Sequence, residues 1–154
     1  MQNKELEQAL RKMLRAELDA MHYYQQASKH IKDKGANYHF NLLAQEELEH
    51  ARAFYAVYPG DDLPDFDTLV KNSSVQQALK TIDPQLHGRL NERTALQLAM
   101  QLEEEVANSL KRMLIEVTSP AARAVIEENI DSTLGHYELI KEDYQRLFES
   151  PAER

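Results

Sequence analysis

The 154 residues suffice for one domain with a sizeable core, and 26 Asp and Glu against 18 Lys and Arg, a net charge of −8 with no basic tract, argue against nucleic acid or an anionic membrane surface as a partner. The absence of Cys excludes disulfides, thiolate metal sites and iron–sulfur clusters within the chain. Only 4 Gly and 5 Pro interrupt a sequence rich in Ala, Leu, Glu, Gln, Lys and Arg, which predicts an all-α fold.

The start, MQNKELEQAL, is charged and helix-like rather than basic and then apolar, and no stretch approaches the length of a membrane span. A cytoplasmic protein that does not engage a membrane is expected. Leu6, Leu10, Met13, Met21, Tyr24 and Ile31 recur at helical spacing, with Asn3 as N-cap and Gly35 as the stop. They predict a first helix over 3–34. Phe40, Leu43, Phe54 and Val57 give a second over 37–58, closed by Pro59 and Gly60.

Residues 59–90 hold Pro59, Gly60, Asp61, Asp62, Pro64, Pro84 and Gly88, and read as a long crossover. A short helical turn is expected where Ser74 and Gln77 form a capping box before Leu79 and Ile82. The acidic run with Asp65 and Asp67 lacks the spacing of a calcium loop and reads as a solvated segment. A third helix is predicted over 91–118 and a fourth over 119–149, the latter opened by Ser119 as N-cap and Pro120 at the first helical position, and stopped at Ser150-Pro151. Together these predict a single domain over 1–154, an antiparallel four-helix bundle with one long connection between the second and third helices, an arrangement that often places metal sites among inward-facing side chains.

Polar residues interrupt each apolar stripe: Glu17 in the first helix, Glu47 and His50 in the second, Glu103 in the third and His136 in the fourth. Glu17 precedes His50 by 33 residues, and Glu103 precedes His136 by 33. Each pair is nearly centred on its own turn, so in antiparallel helices rising about 1.5 Å per residue each pair meets at one level. The two hairpins look like pseudo-repeats offset by 86, which carries Glu17 to Glu103, His50 to His136, Phe54 to Ile140, and Glu47 to Thr133. A symmetric site would have a fourth carboxylate at that last position.

Buried carboxylates at one level repel each other unless cations, shared protons or water intervene. Two divalent ions would bring +4, and carboxylates with neutral imidazoles supply compensating charge and bridging oxygens. Glu17, Glu47, His50, Glu103 and His136 are therefore the candidate metal ligands, with a two-ion and a one-ion centre both open. Tyr24, two turns after Glu17, reads first as an interior tyrosine with a satisfied hydroxyl, and is also placed to hydrogen-bond a ligand or relay electrons. Glu47 and Tyr24 are the candidate catalytic residues. Glu46, Glu49, Glu104 and Glu105 read as solvent-facing, and His22, His30, His39 and His87 as surface or helix-end residues.

Over all four helices the chain resembles the ferritin-like di-iron superfamily, in its rubrerythrin and bacterioferritin branches. The resemblance is carried by Ala16-Glu17-Leu18 through Tyr24, Glu46-Glu47-Leu48-Glu49-His50-Ala51, Leu102-Glu103 through Leu110, and Gly135-His136. It implies Glu17 and Glu103 as terminal ligands of opposite ions, Glu47 as a bridge, His50 and His136 as completing ligands, and two divalent ions, iron foremost, with manganese and zinc as substitutes. The activity implied is oxidoreduction with oxygen or peroxide, through an electron donor the residues do not specify. In such a centre water, Asp131 or Glu128 would fill the position that Thr133 leaves; the alternative, which Thr133 favours, is a degenerate metal-binding or protein-interaction module without catalysis.

Leu48 stands where bacterioferritins carry a haem-ligating Met, so no haem is implied. Met100, one turn before Glu103, replaces the extra third-helix carboxylate of rubrerythrins. A chain that stops just past its fourth helix is not expected to build a storage cage. Bundles of this kind often pair through an apolar face, and a homodimer is expected.

Overall fold

The computed structural model describes residues 1–74 and 90–149. Among them the order is α1 (Asn3–Ala27), a 3₁₀ turn (Ser28–His30), α2 (Lys34–Ala56), α3 (Phe66–Asn72), α4 (Glu92–Glu116) and α5 (Pro120–Phe148), with no strand. This is an all-α bundle, as composition and periodicity lead one to expect. The expected turn around Gln77, Leu79 and Ile82, together with Pro84, His87, Gly88 and the stop at Ser150-Pro151, lies outside the described residues.

The first connection differs from the sequence expectation. The first helix ends at Ala27 rather than near 34, and the chain turns extended at Ile31. Asp33, not Asn37, opens α2, accepting a hydrogen bond from the Ala36 amide at 2.9 Å. An Asp N-cap satisfies an otherwise orphaned helix donor, which leaves Gly35 inside the first turn of α2 instead of acting as a stop. Glu92 of α4 accepts from the Lys32 and Asp33 amides at 2.6 and 2.8 Å, and Asn37 donates to the Ser28 carbonyl at 2.8 Å. These bonds tie the α1–α2 connection to the start of α4.

The remaining boundaries have local causes. Asn91 and Thr94 cap α4 reciprocally, and Ser119 accepts from the Ala122 amide ahead of Pro120 in α5. Arg123 donates to the Leu114 and Val117 carbonyls at 2.7 and 2.8 Å, closing the end of α4. In the crossover, Asp65 caps α3 through the Thr68 amide. Phe66 then buries its ring against Tyr55, centroids 5.5 Å apart, and beneath Arg52. Asp62 pairs with Arg11 and accepts from Tyr58. Part of the acidic run is thus used in capping and pairing.

The apolar core falls into two clusters. One holds Tyr23, Tyr24, Phe40, Leu43, Leu96 and Ile140, and the other Leu10, Leu14, Phe54, Leu110 and Ile126. Each fully buried Leu or Phe contributes about 1.5–3 kcal/mol. Such burial lets the fold tolerate a polar layer between the clusters, where Glu17, Glu47, Glu103, Thr133 and His136 are all buried. No helix among the described residues is long and apolar enough to cross a membrane.

Candidate metal centre

The polar layer is built by helical periodicity. Glu17 continues the α1 stripe of Leu10, Met13 and Leu14, and Glu103 continues that of Leu96 and Ala99 on α4. Glu47 and His50, at i and i+3, share one face of α2. Thr133 and His136 stand in the same relation on α5, on the face that carries Ile126 and Ile140. The adjacent Glu104 and Leu134 are exposed, whereas Glu17 is wholly inaccessible (0%).

Two trios result: Glu17, Glu47 and His50, and Glu47, Glu103 and His136. In each, one donor atom per residue lies within 4.8 Å of the others. Glu47 belongs to both, and its two oxygens point to different partners. Oε2 lies 3.6 Å from His50 Nδ1, and Oε1 lies 3.1 Å from His136 Nδ1. His50 Nδ1 is also 3.4 Å from Glu17 Oε2, and His136 Nδ1 is 3.5 Å from Glu103 Oε1. The two imidazoles stack at 5.4 Å with planes 10° apart. A carboxylate reached from both sides by equivalent acid–imidazole pairs has the arrangement of a bridge between two ions.

Both imidazoles turn Nδ1 inward and fix Nε2 outward. His50 Nε2 lies 2.9 Å from Ser132 Oγ, and His136 Nε2 is hydrogen-bonded to Glu46. Such outer partners set ring orientation and raise ligand basicity at metal sites. Glu46 read from sequence as solvent-facing. It is partly so, with a 43% exposed side chain, but it reaches from α2 across to α5. It is one residue off the apolar stripe, and only the α2–α5 packing reveals its role. Counting Glu46, the layer holds four carboxylates with Glu17, Glu47 and Glu103, which would match the +4 of two divalent ions although Thr133 replaces the expected acid. The suggested substitutes Glu128 and Asp131 are exposed on the far side of α5.

Tyr24 is fully buried and donates to Glu103 Oε1 at 2.6 Å. Its hydroxyl is therefore satisfied by a candidate ligand, so the two readings of Tyr24 from sequence coincide. His22 lies 2.6 Å from Ser73 Oγ, and His39 pairs with Asp143 at 2.6 Å. Both are away from the layer.

Charge in the layer is strongly organised. Burial, reinforced by Glu47 and Glu103, lifts the Glu17 carboxyl well above the usual range. Burial and the charge of Glu47 push Glu103 up to about 7, against the pull of His136 and Tyr24. On Glu47 the same burial is outweighed by neighbouring Glu17 and by the two imidazoles, which hold it ionised. Burial opposes charge on His136, but Glu103 and Glu47 overcome it and raise the group to about 10. His50 is raised as well, Glu47 overcoming the effect of burial. Protons and divalent cations compete for these same lone pairs.

Hydrogen bonding tests whether the layer fits metal ions. Among the described residues, the buried side-chain atoms without a hydrogen-bond partner are both Glu17 oxygens, His50 Nδ1, Asn129 Oδ1 and Thr133 Oγ1. Leaving one such group unmade costs about 1–3 kcal/mol. Three of the five atoms are oxygens and a nitrogen of one trio, and carboxylate oxygen with imidazole nitrogen suits iron, manganese and zinc. The residues fit a pair of such ions.

A family model described as Rubrerythrin matches residues 8–144. No curated protein and no solved structure gives a match.

Proposed function

Because the chain belongs to the rubrerythrin family of ferritin-like di-iron domains, we propose that it is an oxidoreductase acting on oxygen or peroxide at a centre held by Glu17, Glu47, His50, Glu103 and His136. The observation that carries this reading is the sharing of Glu47 between two acid–imidazole trios. Glu17 and His50 complete one ion and Glu103 and His136 the other, with the whole chain acting as one ferritin-like unit. When bound, two iron ions supply one electron each, so that together they reduce oxygen or peroxide by two electrons.

The protein's own groups do the positioning. Ser132 and Glu46 hold the imidazoles with Nδ1 inward. Tyr24 fixes Glu103 through a 2.6 Å hydrogen bond and keeps its proton, since burial foremost raises its hydroxyl well above the ordinary value. Glu47, held ionised, is ready to bridge. The apolar clusters on either side exclude bulk water from the layer.

Thr133 favours a second reading, a metal-binding module without turnover. The two separate in one experiment: protein loaded anaerobically with Fe²⁺ is exposed to air or hydrogen peroxide, and ferric absorption is followed. The oxidoreductase reading expects rapid oxidation that Glu47→Ala and His136→Ala abolish. Bound Fe²⁺ that oxidises no faster than free Fe²⁺ would leave the module reading standing.

A further inference from the structure

Two of the unpartnered atoms do not belong to the acid–imidazole trios. Thr133 is 1% exposed and Asn129 3% exposed, yet Thr133 Oγ1 and Asn129 Oδ1 meet no hydrogen-bond partner. They stand at i and i+4 on α5, one turn apart on one helix face, with His136 one turn further along. A helical threonine ordinarily satisfies its hydroxyl on the carbonyl three or four residues back, and this one does not. Asn129 does use that device with its amide nitrogen, which donates to the Val125 carbonyl at 2.8 Å. That bond fixes the side chain and leaves Oδ1 as a free acceptor. The 86-residue offset between the hairpins places Thr133 where a second carboxylate would mirror Glu47. Threonine is shorter than glutamate by two heavy atoms, and its hydroxyl is left unused.

We propose that Thr133 and Asn129 form a one-molecule pocket for a water-sized, exchangeable ligand at the position of the missing carboxylate. The chemistry selects the occupant. Asn129 Oδ1 only accepts, so the guest must donate a hydrogen there, while Thr133 Oγ1 both donates and accepts. A water meets both demands and retains a lone pair for an ion, and a buried water is held by two to four polar partners. A neutral apolar gas meets neither demand. Resting on the reading of the layer as a two-ion centre, the pocket turns one protein-supplied coordination position into one that an outside molecule occupies and leaves.

The test uses wild type, Thr133→Val, which keeps the shape and removes the hydroxyl, and Thr133→Ser, which keeps the hydroxyl. Crystal structures sharp enough to show single waters, with and without iron, are expected to show an oxygen within hydrogen-bond distance of Thr133 Oγ1 and Asn129 Oδ1 in wild type. The serine variant should retain it and the valine variant should lose it. Iron content should be equal in wild type and Thr133→Ser. A dry pocket in wild type, a Thr133 hydroxyl turned onto a backbone carbonyl, or a water retained in Thr133→Val would overturn the proposal. Failure of all three proteins to bind iron would instead overturn the two-ion reading, and the metal-free crystal structure would still decide the pocket.

Discussion

Replacing Glu17 by methionine should make the metal-free protein more stable and its metal response weaker. Glu17 is wholly buried, neither of its oxygens has a hydrogen-bond partner, and burial together with Glu47 and Glu103 disfavours its ionisation. A buried polar group left unmade costs about 1–3 kcal/mol, and an unbranched apolar side chain of similar volume removes that cost while filling the space. For a domain of this size each kcal/mol moves the melting temperature by about 2–4 °C, so Glu17→Met should melt about 2–12 °C above wild type after exhaustive chelation. The assay is calorimetry at neutral pH, repeated with a saturating divalent ion. A site occupied at a hundred times its dissociation constant adds about 2.7 kcal/mol. Wild type should gain from both sites and Glu17→Met from no more than one. A metal-free variant that melts below wild type, or one whose metal-induced shift equals wild type's, would refute the reasoning that this carboxylate is kept for a cation.

Three further outcomes follow from the same layer. Glu103 at about 7 and His136 at about 10 both lie above the usual values of 4.5 and 6.5. The folded metal-free protein therefore binds more protons than the unfolded chain, and its stability should fall as pH rises from about 5 to 10, by up to about 1.4 kcal/mol per unit for each group in its window; urea melts across that range check it, and a rise would contradict the assignment. Tyr24→Phe removes the hydrogen bond to Glu103 and should lower metal-free stability by about 1.5–3 kcal/mol, read by denaturant titration; an unchanged midpoint would show that the bond contributes nothing. Glu46→Gln should weaken metal binding by about 10–100-fold in calorimetric titration, because it removes a charge paired with His136; unchanged affinity would reduce Glu46 to a surface residue.

Much of the layer was legible because each ligand candidate is a polar residue lodged in an apolar stripe. Glu17, Glu47, Glu103 and His136 are buried where periodicity alone placed them. Equal spacing on either side of two turns further fixed their common height. Glu46 and Ser132 were not legible, since both sit one residue off the stripe and meet the facing helix's imidazole, His136 and His50 respectively, through the way α2 and α5 pack. Asn129 carried a signal that went unused, its place one turn before Thr133 and two before His136. The α1–α2 connection was misplaced because Gly35 suggested a helix end, while the capping power of Asp33 two residues earlier prevailed. Helix α3 was hidden because Asp65 read as part of a solvated acidic run and acts as a cap.

The central claim is that Glu47 is shared by two ions. Anomalous scattering at the iron edge from crystals of iron-loaded protein tests it most directly. Two peaks per chain, with one Glu47 oxygen nearest each, are the predicted result. A single peak, or two that are not flanked by Glu47, would contradict it.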